Sequence, residues 1–308
     1  GDTVIAMPSP AGGTAVLETL NILSGFPVAS YGQSSANHLH VLAESMKIAW
    51  ADKVAYHGDP EYSDPHTAEL LSASYADERR AEISMTEAKQ YGPGDFSQSP
   101  APSALPDHTS HISVIDSEGN AVAVTCSLGT LFGSGVVAKG TGFLLNNAFT
   151  SSPVEGPDVM EGGKRSGSNM TPTMVVRSGV PILVTGAAGG SSIIPGVVQQ
   201  VVNTVDFGLD IADAIDAERI NPTTYGTELG IEVPFDEDPG VQHPPLSQPR
   251  ITKAVQDELI ARGHVFNRRG EYDFQPVVAS AAIDPLTGAR SAVSDPRWTW
   301  GAFAQASD

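Results

Sequence analysis

The stretch DHTSHISVID, residues Asp107–Asp116, decides how the chain divides. Ahead of it lies YGPGDFSQSPAPSALPDH, rich in Gly, Pro and Ser and without periodicity, which reads as a linker ending at His108. After Thr109 the character turns to β. ISVIDSEGNAVAVTCSL has the form of a hairpin, with apolar runs on both sides of the turn Ser117-Glu118-Gly119-Asn120. Two hydroxyl residues and a histidine therefore stand where loop becomes strand. Taken alone, the stretch reads first as an ordinary polar strand entry, because threonine is common in strands.

Working outward, TVIAMPSPAGGTAVLETLNILSGF reads as a short strand, a Pro/Gly turn and a helix ending near Gly25. A long helix follows, capped by Ser34 or Ser35, with Leu39, Leu42, Met46, Ala49 and Trp50 as its apolar face. His38 and His40 fall two apart, on different faces, and read as solvent-facing rather than as metal ligands. Asp64 to about Ala88 reads as charged helix. Beyond the hairpin, strands are expected at Gly142–Asn146, Pro172–Arg177 and Pro181–Thr185. GAAGGSSIIPGVVQQVVNTVDFG then crosses a Gly-rich loop into a helix with a valine-lined core side. Helices at about Ile211–Glu218 and Ile251–Arg262 precede two last strands, Pro276–Ile283 and Arg290–Val293. This order implies at least one buried sheet covered by helices.

Composition excludes several classes. The net charge is −19, with 17 Lys plus Arg, so the basic footprint of a nucleic-acid or anionic-membrane binder is missing. No apolar run approaches a membrane span. The single cysteine, Cys126, rules out an intrachain disulfide and reads as a small buried hydrophobe. The chain starts with Gly1, without a visible signal peptide, so it is expected to be processed or part of a longer chain.

Three stretches can carry chemistry. No G-x-S-x-G elbow, Walker A motif or zinc-spaced Cys/His cluster occurs, and no metal or cofactor is expected. Thr109 is the first candidate. A threonine hydroxyl needs a base, and cutting the chain just before it frees an α-amine with a pKa of about 7.7–8.0 in the same residue. The second is TGAAGGSS, where Gly189 and Gly190 offer backbone N–H groups ahead of a helix, suited to an oxyanion or a phosphate. The third is KRSGSNMTPT, Lys164–Thr173, whose cationic and small polar side chains can hold a carboxylate. Each alone also reads as an ordinary turn or solvated loop.

Together and in this order, SPAGGTAVLETLNIL, HLHVLAESMKIAWADKVAYHGDP, HTSHISVIDSEGNAVAVTCSLGTLFGSG, GFLLNNAF, GKRSGSNMTPTMVV, LVTGAAGGSSII and SDPR resemble the γ-glutamyltransferase (γ-glutamyltranspeptidase) family of N-terminal-nucleophile hydrolases. The resemblance spans nearly the whole chain. It implies an α/β (α+β) four-layer αββα fold, two stacked antiparallel sheets flanked by helices. It also implies autocatalytic cleavage between His108 and Thr109, dividing one folded unit into a large-subunit-like part, 1–108, and a small-subunit-like catalytic part, 109–308. Thr109 would be the nucleophile, Thr125 and Ser127 the neighbouring hydroxyls, and the Gly189 and Gly190 amides the oxyanion hole. Ser168 would contact the substrate carboxylate. The implied substrates are γ-glutamyl amides such as glutathione, opened through an acyl-enzyme and passed to water or an amine. A periplasmic or secreted setting is implied as well.

Departures from the family pattern bear on specificity. Where the family typically has a Gln and an Asp for the donor's α-amino group, this chain has Ala148 and Ser151. Gly129 replaces an Asn, and Asn169 replaces the second Ser of the carboxylate loop. The segment from Ala148 to Ser168 is short for the family. Family members usually carry a few hundred more residues ahead of this region, including an arginine that grips the donor carboxylate. The alternatives are a glutaryl (cephalosporin-type) acylase, a poly-γ-glutamate depolymerase, or a catalytically inactive relative acting as a binding subunit.

Overall fold

A computed structural model describes residues 1–96, 108–151, 153, 156–222, 226–232, 251–269 and 276–297. Its central layer is an antiparallel five-stranded sheet in the order β1 (Asp2–Ala6), β4 (Thr173–Arg177), β5 (Val180–Ala188), β9 (Val277–Ile283) and β10 (Arg290–Ser294). The residue at the chain's start thus pairs with β4, Asp2 opposite Arg177, and the Arg177 guanidinium grips the Asp2 carboxylate.

One face of this sheet is covered by helices. α1 (Gly13–Leu23), α3 (Ala36–Tyr56) and α6 (Ile193–Val205) share one apolar cluster with Ala187 of β5 and Val278 of β9. Ser35 caps α3, accepting the His38 backbone N–H at 3.1 Å. α3 is buried nearly all round rather than along one stripe. His38 and His40 are both buried, which corrects the solvent-facing expectation: a helix enclosed on every side has no wet face to offer.

The other face carries the hairpin. β2 (His108–Ile115) and β3 (Ala121–Gly129) pair antiparallel, Thr109 opposite Ser127 and His111 opposite Thr125. The Asp116 carboxylate ties the turn by accepting the Glu118 and Asn120 N–H groups. The inner residues face the large sheet, where Gly186 makes room for the His111 ring; a Cβ at Gly186 would lie 2.2 Å from His111 Cε1. The outer residues, Ile112, Val114, Val122 and Val124, are exposed. Cys126 belongs to this outward set and is exposed, contrary to the buried reading, because strand alternation places it with Val122 and Val124.

Two further expectations need correction, and one sheet is new. The charged region from Asp64 breaks into α4 (Thr67–Leu70) and α5 (Ala73–Ala81), with Ser72 capping the second. Gly142–Asn146 forms no strand, only a single bridge from Leu144 to Val137 inside a surface loop. A three-stranded sheet of β6 (Ile220–Pro222), β7 (Glu228–Glu232) and β8 (Val265–Arg269) was not foreseen. α2 (Val28–Tyr31), α7 (Ile211–Asp216) and α8 (Lys253–Ala261) complete the helices, and no described helix is long and apolar enough to cross a membrane. Most of the expected linker, 97–107, lies outside the described residues.

Candidate active site

Thr109 sits at the open end of β2, beside an irregularity in the hairpin. The register shifts between His108, opposite Gly129, and Thr109, opposite Ser127, so the bulge falls at the expected scissile bond. The Thr109 hydroxyl donates to Ser127 Oγ at 3.2 Å, and Ser127 Oγ also accepts the Gly129 N–H at 3.1 Å. The two hydroxyls meet because cross-strand partners share a face.

Thr125 lies one pair deeper. Its Oγ1 is 2.7 Å from His111 Nδ1, while His111 Nε2 is 2.9 Å from Ser113 Oγ, which donates to the Ala279 carbonyl. Since Ser113 spends its proton on a carbonyl, Nε2 carries the ring proton and Nδ1 accepts from Thr125. Burial pushes the His111 pKa down to about 4, so the ring stays neutral. Thr125 and His111 therefore brace the hairpin beneath Thr109 and do not line the pocket.

That pocket has a volume of about 380 Å³. It brings together Thr109, Ser127, Gly129, Ala148, Ser168, Asn169 and Gly190, of the residues singled out from sequence. Gly190 opens the short 3₁₀ turn Gly190–Ser192 that runs into α6, so the helix's positive end is turned to the pocket. Gly189 stands behind it, against Pro276, with φ +141° that side-chain-bearing residues rarely adopt. Ser151 ends the turn Ala148–Ser151, and its side chain lies outside the described residues, as does that of His108.

The Lys164–Met170 loop forms the opposite wall and is held from three sides. Arg165 does not point its charge at the pocket alone: its backbone N–H, Nε and Nη2 all bind the buried Asp59 carboxylate, at 2.8, 3.1 and 2.6 Å. These hydrogen bonds hold Asp59 well below the usual carboxylate range. The Gly167 N–H donates to Asp158 at 2.5 Å, and a Cβ at Gly167 would press on that carboxylate. The Ser168 N–H donates to the Pro10 carbonyl, which also accepts from His57. Asn169 is buried, and neither its side-chain Nδ2 nor its Oδ1 has a hydrogen-bond partner among the described residues. Sequence reading missed Asp59, Asp158 and His57; the HGDP motif contained two of them without showing their targets.

The departures at Gly129 and Ala148 acquire physical content here. Gly129 has φ +91°, which favours glycine, and a Cβ there would lie 2.1 Å from Asn147 Oδ1, so a larger residue requires the Asn147 side chain to move. Ala148 and Phe149 put apolar surface on the pocket, while Lys164 lines it with positive charge; the Arg165 guanidinium, also on the wall, is paired with Asp59 and Glu61. None of the described lining residues is acidic.

Residues 1–304 match the gamma-glutamyltranspeptidase family. The chain belongs to that family. Among its relatives, a glutathione hydrolase proenzyme of Escherichia coli (strain K12) is 39% identical over 254 residues, 77% of this chain and 43% of that one. An acylase ACY 1 proenzyme of Pseudomonas sp. (strain SE83) is 34% identical over 267 residues, 86% of this chain and 44% of the relative. The crystal structure of cephalosporin acylase from Bacillus halodurans superposes with a TM-score of 0.80 at 27% identity, covering 100% of this chain and 52% of that one. The chain spans about half the length of these relatives. The gamma-glutamyltranspeptidase-family fold, helices and stacked antiparallel sheets of the αββα type, is thus the fold of this chain, and three of its layers are the helices, the five-stranded sheet and the β2–β3 hairpin.

Proposed function

We propose that this chain carries the reaction centre of an N-terminal-threonine amidase that opens acyl amides of the γ-glutamyl class, glutathione included, through an acyl-enzyme on Thr109. The observation that carries the proposal is the convergence of Thr109, hydrogen-bonded to Ser127, with the Gly190 turn on one pocket. Cleavage between His108 and Thr109 would divide the folded unit into 1–108 and 109–308 and free the Thr109 α-amine. The amine takes the Oγ proton as Oγ attacks the acyl carbon. Negative charge then develops on the former carbonyl oxygen, where the backbone N–H groups of Gly190 and Gly189 and the N-terminal end of α6 stabilise it. As the C–N bond breaks, the amine proton passes to the leaving nitrogen. Water or an acceptor amine attacks the ester, the acyl group leaves, and Oγ regains its proton. Ser127 orients the hydroxyl, and Ser168 and Asn169 bind the far end of the acyl group.

A second reading, a glutaryl-type acylase or a depolymerase of poly-γ-glutamate, is favoured by one observation. An α-ammonium finds no described acidic side chain on the pocket wall, whereas a terminal carboxylate finds Lys164 beside it. Intact-mass analysis should show a break before Thr109 in the wild type and none in Thr109→Ala. Paired γ-glutamyl and glutaryl anilides, which differ by the α-amino group, then separate the two readings. Correct cleavage with no turnover of any acyl anilide would instead favour a non-catalytic binding subunit, and an uncleaved wild type would overturn the proposal.

A further inference from the structure

Outside the Thr109 pocket, three ligand-type side chains converge in the core. His40 and Glu44 stand one turn apart on α3, hence on one face. His264 follows Gly263 in the tight turn between α8 and β8, its N–H bonded to the Leu259 carbonyl. His40 Nδ1 and His264 Nε2 are 2.8 Å apart, His264 Nε2 and Glu44 Oε1 are 3.9 Å apart, and all three ligand atoms lie within 4.8 Å of one another. All three residues are buried.

The surroundings orient these atoms as the outer partners of a metal centre do. A ligating histidine usually donates its other ring N–H to a carbonyl or carboxylate, and a ligating carboxylate is itself hydrogen-bonded. His40 Nε2 lies 2.6 Å from the Ser84 carbonyl, which can only accept, so Nδ1 is the bare nitrogen. Glu44 Oε2 takes the Lys89 N–H at 3.0 Å and the Tyr91 hydroxyl at 2.7 Å. Glu44 Oε1 accepts from the Lys47 ammonium in a buried ion pair, so that cation stands where a metal ion would bind.

We propose that His40, Glu44 and His264 form a binding site for a divalent transition-metal ion of the zinc type, which ties α3 to the α8–β8 turn. The donor set, two imidazoles and a carboxylate, is one that suits zinc. Tetrahedral Zn–N bonds of about 2.0–2.1 Å require the two nitrogens to stand about 3.3 Å apart. The imidazole nitrogens therefore open by about 0.5 Å, and Glu44 Oε1 closes on His264 by a similar amount and on His40 by up to about 1.5 Å, which a turn of the Glu44 side chain away from Lys47 supplies. On binding, His264 moves its proton from Nε2 to Nδ1, so no net proton leaves that ring. Lys47 is the competing cation at Oε1, and it sets the affinity: its ammonium also donates to the Lys89 carbonyl at 2.6 Å.

The test uses tag-free protein dialysed against micromolar Zn²⁺, with elemental analysis and, in parallel, Co²⁺ absorption spectra. One equivalent of Zn²⁺ and a tetrahedral Co²⁺ spectrum are expected. His264→Gln should weaken binding by at least the about 10–100-fold that loss of an outer partner costs, and Lys47→Met should tighten it. Should His264→Gln fail to fold, ¹⁵N spectra of the histidine rings in the wild type decide: Zn²⁺ must shift His40 and His264. No bound metal in both wild type and Lys47→Met, unchanged affinity in folded His264→Gln, or rings of His40 and His264 left unshifted would each overturn the site.

Discussion

Gly186→Ala probes how the hairpin is seated on the large sheet. The new methyl would lie 2.2 Å from His111 Cε1 and 2.5 Å from Nδ1, far inside van der Waals contact, so the ring must move. Moving it disturbs the bonds to Thr125 at 2.7 Å and Ser113 at 2.9 Å. Overpacking of this kind costs about 1–3 kcal/mol. At about 2 kcal/mol, and about 2–4 °C per kcal/mol for a large domain, Tm should fall by about 4–8 °C. In a His111→Ala background the methyl meets no ring, and the same substitution should cost less than about 0.5 kcal/mol, a coupling of about 1.5 kcal/mol. Thermal unfolding of the four proteins by circular dichroism measures the cycle. A methyl that costs as much without the ring as with it would falsify the seating argument. The break before Thr109 should also slow in Gly186→Ala, because Thr109 and His111 share one strand face.

Other consequences are as direct. Ala148→Asp places a carboxylate on the pocket wall, and a charge-assisted contact of about 1.5–3 kcal/mol predicts a rise of about 10–150-fold in the γ-glutamyl over glutaryl kcat/KM ratio; an unchanged ratio would mean the donor's α-amino group lies elsewhere. Asp59→Asn releases Arg165 and loosens the carboxylate loop, so KM for acyl donors should rise several-fold with kcat less affected, since Thr109 and Ser127 sit on the hairpin; the reverse pattern in steady-state kinetics contradicts the bracing role. Burial holds His57 at a pKa of about 3 and His111 at about 4. The unfolded chain takes up these protons near pH 6.5, so their stabilising contribution is whole above that value and declines as pH falls toward the folded pKa values. Tm should therefore drop between about pH 6.5 and about pH 4.5, and a Tm that rises over this window would contradict the assignment.

The hairpin was legible because its signals are local. Alternation over Ile112–Ile115 and Ala121–Val124 and the Glu118-Gly119-Asn120 turn fix its register, and the register alone brings Thr109 to Ser127. The start of α3 was legible for the same reason, through Ser35. β6, β7 and β8 were not: the strands are short, and β7 pairs with β8 in parallel across an intervening helix, so no hairpin pattern links them. Contacts of long sequence separation were equally hidden. Asp59 reaches Arg165 across 106 residues and His40 meets His264 across 224, and nothing in either local stretch names its partner. Gly129 looked like a lost side chain; in the fold the Asn147 side chain fills the place one would take.

The outward face of the hairpin has a colloidal consequence. Ile112 is 60% exposed, and Val114, Val122 and Val124 stand beside it on a sheet that is two strands wide among the described residues, an apolar face open to further contact. What keeps separate molecules apart is long-range repulsion from the net charge of −19. Salt shrinks the reach of that repulsion to about 10 Å at 0.1 M and leaves the apolar face untouched. Ionic strength therefore sets how sticky this chain is in solution: dilute buffer disperses it, and concentrated salt draws hairpin toward hairpin.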